Sequence, residues 1–225
     1  MKIICIMGID GAGKTTLARK TAAALQAEGL PAAYFYGRQY ALFSRLVLQA
    51  IGRTAGMRTQ DEFRDYHAFT AAKREALKHA RWRTLYTAAV LLDFYLRSWR
   101  RLLPALLTSR ILLVDRYFYD TVVGDLGVYL GYAPSQISHM LDWGLRLVPR
   151  AAVTVLLDVP VGVAMARKDD VPDPDYLAVR RALYLALRGR PEVRTLDGTE
   201  DSAALVAALR AEIARVIPLP EGHPA

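Results

Sequence analysis

Residues 2–15 read KIICIMGIDGAGKT, and the way they divide decides the fold. The run 2–7 is almost continuously apolar, which suits a strand covered on both faces rather than one wetted on one side. It passes directly into Gly8-Ile9-Asp10-Gly11-Ala12-Gly13-Lys14-Thr15, a complete GxxxxGK[ST] pattern, and from Leu17 the periodicity is helical. Strand, glycine turn and helix in that order form a cradle for phosphate. The glycines let successive backbone N–H groups point inward, and the helix N-terminus adds partial positive charge. Lys14 can then reach the terminal phosphates of a nucleotide, and the Thr15 hydroxyl can ligate Mg²⁺. Gly8, Gly11, Ala12, Gly13, Lys14, Thr15 and Thr16 are the candidate phosphate-binding residues.

Asp10 sits oddly in such a loop, because it sets a carboxylate beside a site built for anions. Its side chain is expected to face away from the polyphosphate, toward a sugar hydroxyl or a metal-bound water. A purely local role, accepting the loop's own N–H groups, stays open.

Four further apolar runs follow at 32–36, 111–115, 152–158 and 193–197. Helical patterns fill the gaps, at 15–28, about 39–52, 61–80, 82–108, 135–147, 160–167, 174–188 and 202–216. Such alternation predicts an α/β fold: three layers, with a five-stranded parallel sheet between helices. The chain reads as a single domain over 1–217, with a helical elaboration at 39–108, a short lid at 167–175 and a frayed tail at 218–225.

At the end of the third run, Asp115-Arg116-Tyr117 falls on the edge of a parallel sheet where ligands bind. Asp115 can hold Mg²⁺ through water, and Arg116 can grip a phosphate with its fork of donors. A bare Asp–Arg pair capping the strand is the alternative.

Composition narrows the function classes. With 53% hydrophobic and 23% charged residues the chain is globular, not disordered. Cys5, the single cysteine, reads as a buried thiol, and the four scattered histidines have no ligand spacing. Residues 85–107 are apolar but broken by Asp93, Arg97, Arg100, Arg101 and Pro104, so they fail as a membrane span. The N-terminal run is too short for a signal segment, and a cytoplasmic location is expected. The net charge of +8 is concentrated in residues 38–101, which hold 13 Lys and Arg against 5 Asp and Glu. This is either a solvated helical face or a positive wall that attracts phosphate-bearing substrates. No nucleic-acid-binding signature accompanies it.

Taken together, GIDGAGKTT (8–16), Arg38 in YGRQ, LLPALL before ILLVDRY, LLDVPVGVAMAR (156–167), VRRALYLAL (179–187) and VRTLDGTEDSAALVAALRAEI resemble the thymidylate kinase family. These nucleoside monophosphate kinases share the phosphate loop. The resemblance spans nearly the whole chain in the right order. It implies ATP with Mg²⁺ as donor, a nucleoside 5′-monophosphate (dTMP) as acceptor, and a homodimer through the helical face. It assigns Arg38 and Arg116 to the acceptor phosphate, Asp10 to its sugar, Asp115 to Mg²⁺ and Arg167, at the root of the lid, to the transferring group. The acceptor-reading positions depart from the family pattern: Asp120 replaces a serine and Gly124-Asp125 a Tyr–Gln pair. Phe94 replaces an arginine, with Asp93 beside it and Arg97 nearly a turn later. With Tyr117 these complete the candidate acceptor set. Two other functions remain open on the sequence: a kinase of a nucleoside or another small phosphorylated metabolite, and a nucleotide-binding regulatory protein without turnover. The lid segment ARKDDVPDPDY (166–176) carries four aspartates, expected to face solvent or pair with Arg180 and Arg181.

Overall fold

The computed structural model describes residues 2–37, 42–55, 65–168 and 173–218. Its strands are β1 (Lys2–Met7), β2 (Ala32–Tyr36), β3 (Ile111–Asp115), β4 (Ala151–Asp158) and β5 (Val193–Asp197). They form one sheet in the order β2-β3-β1-β4-β5, every pair parallel. β1 lies at the centre because its residues 3–7 are all buried, and β3 beside it is buried along its whole length. This is the three-layer α/β fold that the five apolar runs predict.

The helices are α1 (Lys14–Ala27), α2 (Phe43–Ala55), α3 (Tyr66–Ala76), α4 (Ala80–Thr108), α5 (Phe118–Asp120), α6 (Val128–Leu130), α7 (Pro134–Gly144), α8 (Val161–Ala166), α9 (Pro174–Leu185) and α10 (Ser202–Ala214). Right-handed crossovers put α1 on one face and the connections from β2 to β5 on the other. After β5 the chain returns to the first face, where α10 packs on α1. Local chemistry sets several starts: the Asp65 side chain accepts from Ala68 N at 2.9 Å, and Asp201 caps α10 through Ala203 N and Ala204 N.

The stretch that the sequence reading passed over is 118–130, which holds α5, α6 and the segment that joins them. Residues Thr121–Gly127 form a π-helical segment, so 118–130 is continuously helical. Its sequence TVVGDLG pairs β-branched residues with glycines, both weak helix formers, and burial overrides that preference. Val122, Val123 and Leu126 are fully buried, and Gly127 lets Ile137 of α7 approach closely. Among the described residues, no helix is long and apolar enough to cross a membrane.

Candidate active site

The site forms at the C-terminal edge of the sheet, where β1 and β3 release the phosphate loop and Asp115-Arg116. Two glycines fix the loop. Gly11 has φ 81°, and a Cβ there would run into the Ala164 carbonyl oxygen of α8. Gly13 has φ 93° and stands immediately before α1, so the helix starts with its free N–H groups turned into the loop. Ala12 and Lys14 are buried, whereas Thr15 and Thr16 are exposed at the first turn. Lys14 Nζ donates to Ile9 O at 2.7 Å, so the ammonium spans the loop.

The Thr15 hydroxyl donates to Asp115 Oδ2, joining two residues one hundred positions apart in sequence. Tyr34 OH approaches the same oxygen at 3.4 Å. The other oxygen, Asp115 Oδ1, is buried with no hydrogen-bond partner. A buried carboxylate with one orphaned oxygen, beside a threonine hydroxyl, offers oxygen ligands to a cation.

Arg116 follows with φ 64°, the one non-glycine residue at positive φ among those described. Such backbone strain persists only where the surroundings enforce it. Here Arg116 N donates to Ile6 O at 3.3 Å, and Gly37 lies so close to the Arg116 carbonyl that a side chain at 37 would not fit. The turn aims the guanidinium at the phosphate loop, where Arg116 Nη2 is ion-paired with Asp10 Oδ1. Asp10 also accepts from Tyr176 OH of α9 at 3.1 Å. The oddity of an acidic residue in an anion loop is thus resolved: its charge is met by Arg116 and its second oxygen by a phenol.

Other candidates are placed elsewhere. Asp93 is buried, and its carboxylate accepts from Leu42 N, Phe43 N, Ser44 N and Ser44 Oγ at 2.7–3.0 Å. It closes the N-terminus of α2. Phe94, 1% exposed, packs among Tyr95, Tyr117 and Phe118. Tyr117 is equally buried and donates its hydroxyl to Pro149 O at 2.9 Å. All three are taken up by capping and packing: Asp93 and Phe94 are buried on α4, and Tyr117 is buried between β3 and α5. Arg97 is partly exposed on α4, one turn beyond Asp93. Asp120 accepts from Tyr117 N and Tyr184 OH, and burial pushes its carboxyl up against the opposing pull of Arg116 and Lys14. Arg167 Nη1 donates to Gly198 O at 2.9 Å, which ties the root of the lid to the turn after β5. Arg38 and lid residues 169–172 lie outside the described residues. Of the lid aspartates, Asp173 and Asp175 approach His67 at 3.6 and 3.4 Å, not Arg180 or Arg181. Arg181 instead forks onto Asp158 at the end of β4.

A second group was not singled out in the sequence. Lys73 of α3 is buried with its ammonium 3.5 Å from the Tyr129 ring centroid, and Phe69 and Tyr86 complete the surround. Arg180 lies 3.5 Å over Tyr176 and near Tyr129. The available signal was spacing: Phe69 and Lys73, and Tyr176, Arg180 and Tyr184, recur at four residues and share one helical face. On the other flank, a cleft of about 480 Å³ opens between Asp158, Pro160, Arg181, Arg188, Thr195 and Thr199.

No family model matches the chain. Full-length comparison does find relatives. A thymidylate kinase of Xanthomonas euvesicatoria is 28% identical over 211 residues, covering 91% of this chain and 79% of its own length. One from Xylella fastidiosa is 25% identical over 227 residues, covering 96% and 91%. Over nearly its whole length the chain is similar to thymidylate kinases. The likeness indicates a phosphotransferase, and the fold brings the phosphate loop, Asp115 and Arg116 together at one edge of the sheet.

Proposed function

We propose that this protein is a kinase of the thymidylate kinase family, transferring the γ-phosphoryl group of ATP to a nucleoside 5′-monophosphate, with dTMP as acceptor, in the cytoplasm. The observation that carries the reading is that Thr15 and Asp10 of the phosphate loop meet Asp115 and Arg116 at the end of β3, with the Lys14 ammonium spanning the loop. An oxygen of the acceptor phosphate attacks the γ-phosphorus in line, the bond to the β,γ-bridging oxygen breaks, and ADP leaves. The protein's part is to position the two nucleotides and neutralise spread negative charge. The loop N–H groups and Lys14 bind the donor phosphates, the cleft beside Asp158 takes the donor's nucleoside, and Arg116 grips the acceptor phosphate. Arg38 and Arg167 remain assigned to the acceptor phosphate and the transferring group. No side chain is required as a general base.

Thr15 and Asp115 fit Mg²⁺, since the orphaned Oδ1 and the threonine hydroxyl lie where a hard cation would be held. When bound, the ion would neutralise charge on the donor's phosphate oxygens. The outer face of α4 exposes Leu85, Leu92, Leu96, Trp99, Leu103 and Leu107, a row that supports a homodimer through this surface. Sedimentation of the purified protein as a monomer would remove that part.

A coupled ADP-release assay over a panel of nucleoside monophosphates tests the function. Release with dTMP well above that with ATP alone is expected. Release no greater with any monophosphate than without one overturns it.

A further inference from the structure

Arg180 is 7% exposed and makes no ion pair among the described residues. Burying a cation without a counter-charge is costly, and a residue such as leucine would pack α9 as well. Its contacts say what the charge is for. The guanidinium carbon lies 3.5 Å over the Tyr176 ring, Nη1 donates to Tyr176 O at 3.1 Å and Nη2 to Tyr129 OH at 3.3 Å. Tyr176, edge-on to Tyr66, passes its hydroxyl to Asp10, and Asp10 holds Arg116.

We propose that Tyr176 and Arg180 of α9 are positioning residues that hold Asp10, and through it the phosphate-gripping guanidinium of Arg116. The proposal rests on the kinase reading for its kinetic consequence and deepens it: the helix that follows the lid sets the aim of the acceptor clamp. A cation over the ring draws electron density from the phenol, so its O–H donates more strongly to the carboxylate. With Tyr176 fixed, Asp10 has one oxygen committed and offers the other to Arg116 in one direction. Without it the Asp10 carboxylate can rotate, and Arg116, already on a strained backbone, loses its bearing.

Tyr176→Phe removes the hydroxyl and keeps the ring under Arg180. Three measurements on the full chain test the proposal. The first is rotation of the Arg116 guanidinium about its Cζ–Nε bond, followed by nitrogen-detected NMR without nucleotide. It is expected to be slow in the unmodified protein and several-fold faster in Tyr176→Phe. The second is steady-state kinetics: acceptor KM is expected to rise about 3- to 10-fold, with ATP KM changed less than twofold. The third is a cycle with Asp10→Asn, in which Tyr176→Phe should add little, because both act through one carboxylate. Arg180→Lys should show a partial loss and Arg180→Met a full one. Unchanged Arg116 rotation in Tyr176→Phe overturns the relay, and so does a KM effect fully additive with Asp10→Asn. Failure of the unmodified protein to use any monophosphate would sink the kinase reading alone, since the rotation measurement needs no acceptor.

Discussion

Replacing Asp93 with alanine separates a structural role from a substrate-binding one. The carboxylate receives four donors at the start of α2, at 2.7–3.0 Å, and ties that helix to α4. Ser44 is 4% exposed, so its N–H and hydroxyl would be stranded without water, at about 1–2 kcal/mol each. Leu42 and Phe43 are exposed enough for water to reach their N–H groups, and their loss is about 0.5 kcal/mol each. The sum, about 3–5 kcal/mol, lowers Tm by about 10 °C at the roughly 2–4 °C per kcal/mol typical of a domain this size. Asp93→Asn keeps one acceptor and should lose about half as much. Thermal unfolding by circular dichroism reads the shift, and acceptor KM measured well below Tm should move less than about twofold. A melt within 2 °C of the unmodified protein, combined with a roughly tenfold rise in acceptor KM, would refute the reasoning and return Asp93 to the acceptor site.

Lys14→Ala should lower kcat by about 10²-fold or more, as loss of one charge contact to a transferring group does, while a cooperative melt remains. Retained turnover would show that the glycine loop does not hold the donor. Thr15→Val removes the hydroxyl that Asp115 accepts, and is expected to shift the Mg²⁺ titration of activity to higher concentration; an unmoved titration would take Thr15 out of the metal site. Asp120 gives a pH signature. Its carboxyl is raised above the ordinary 3.8 chiefly by burial, so the folded state holds a proton that the unfolded state has released. Stability contributed at that residue is therefore lost as pH rises from about 3.8 through the folded value. Asp120→Asn should flatten the fall in Tm over that window, and an unchanged slope would count against the assignment.

The strands were legible because each is apolar without alternation, which is what burial on both faces demands, and all five fall within a residue of the runs that mark them. The phosphate loop was legible because its chemistry is carried by backbone conformation and a fixed spacing. Residues 118–130 were not, since burial rather than propensity makes them helical. The acceptor side was the least legible. Phe94 and Tyr117 have the composition of a binding face and the position of a core.

By itself, the sequence determined the sheet, the donor loop and the class of chemistry, because those depend on local periodicity and on residues adjacent in the chain. Only the tertiary structure decided the partners. Thr15 meets Asp115 across one hundred residues, and Asp10 meets both Arg116 and Tyr176. Lys73 and Arg180, four-residue echoes on separate helices, converge on Tyr129. A buried charge must find its neutraliser somewhere in the folded chain, and no local pattern says where.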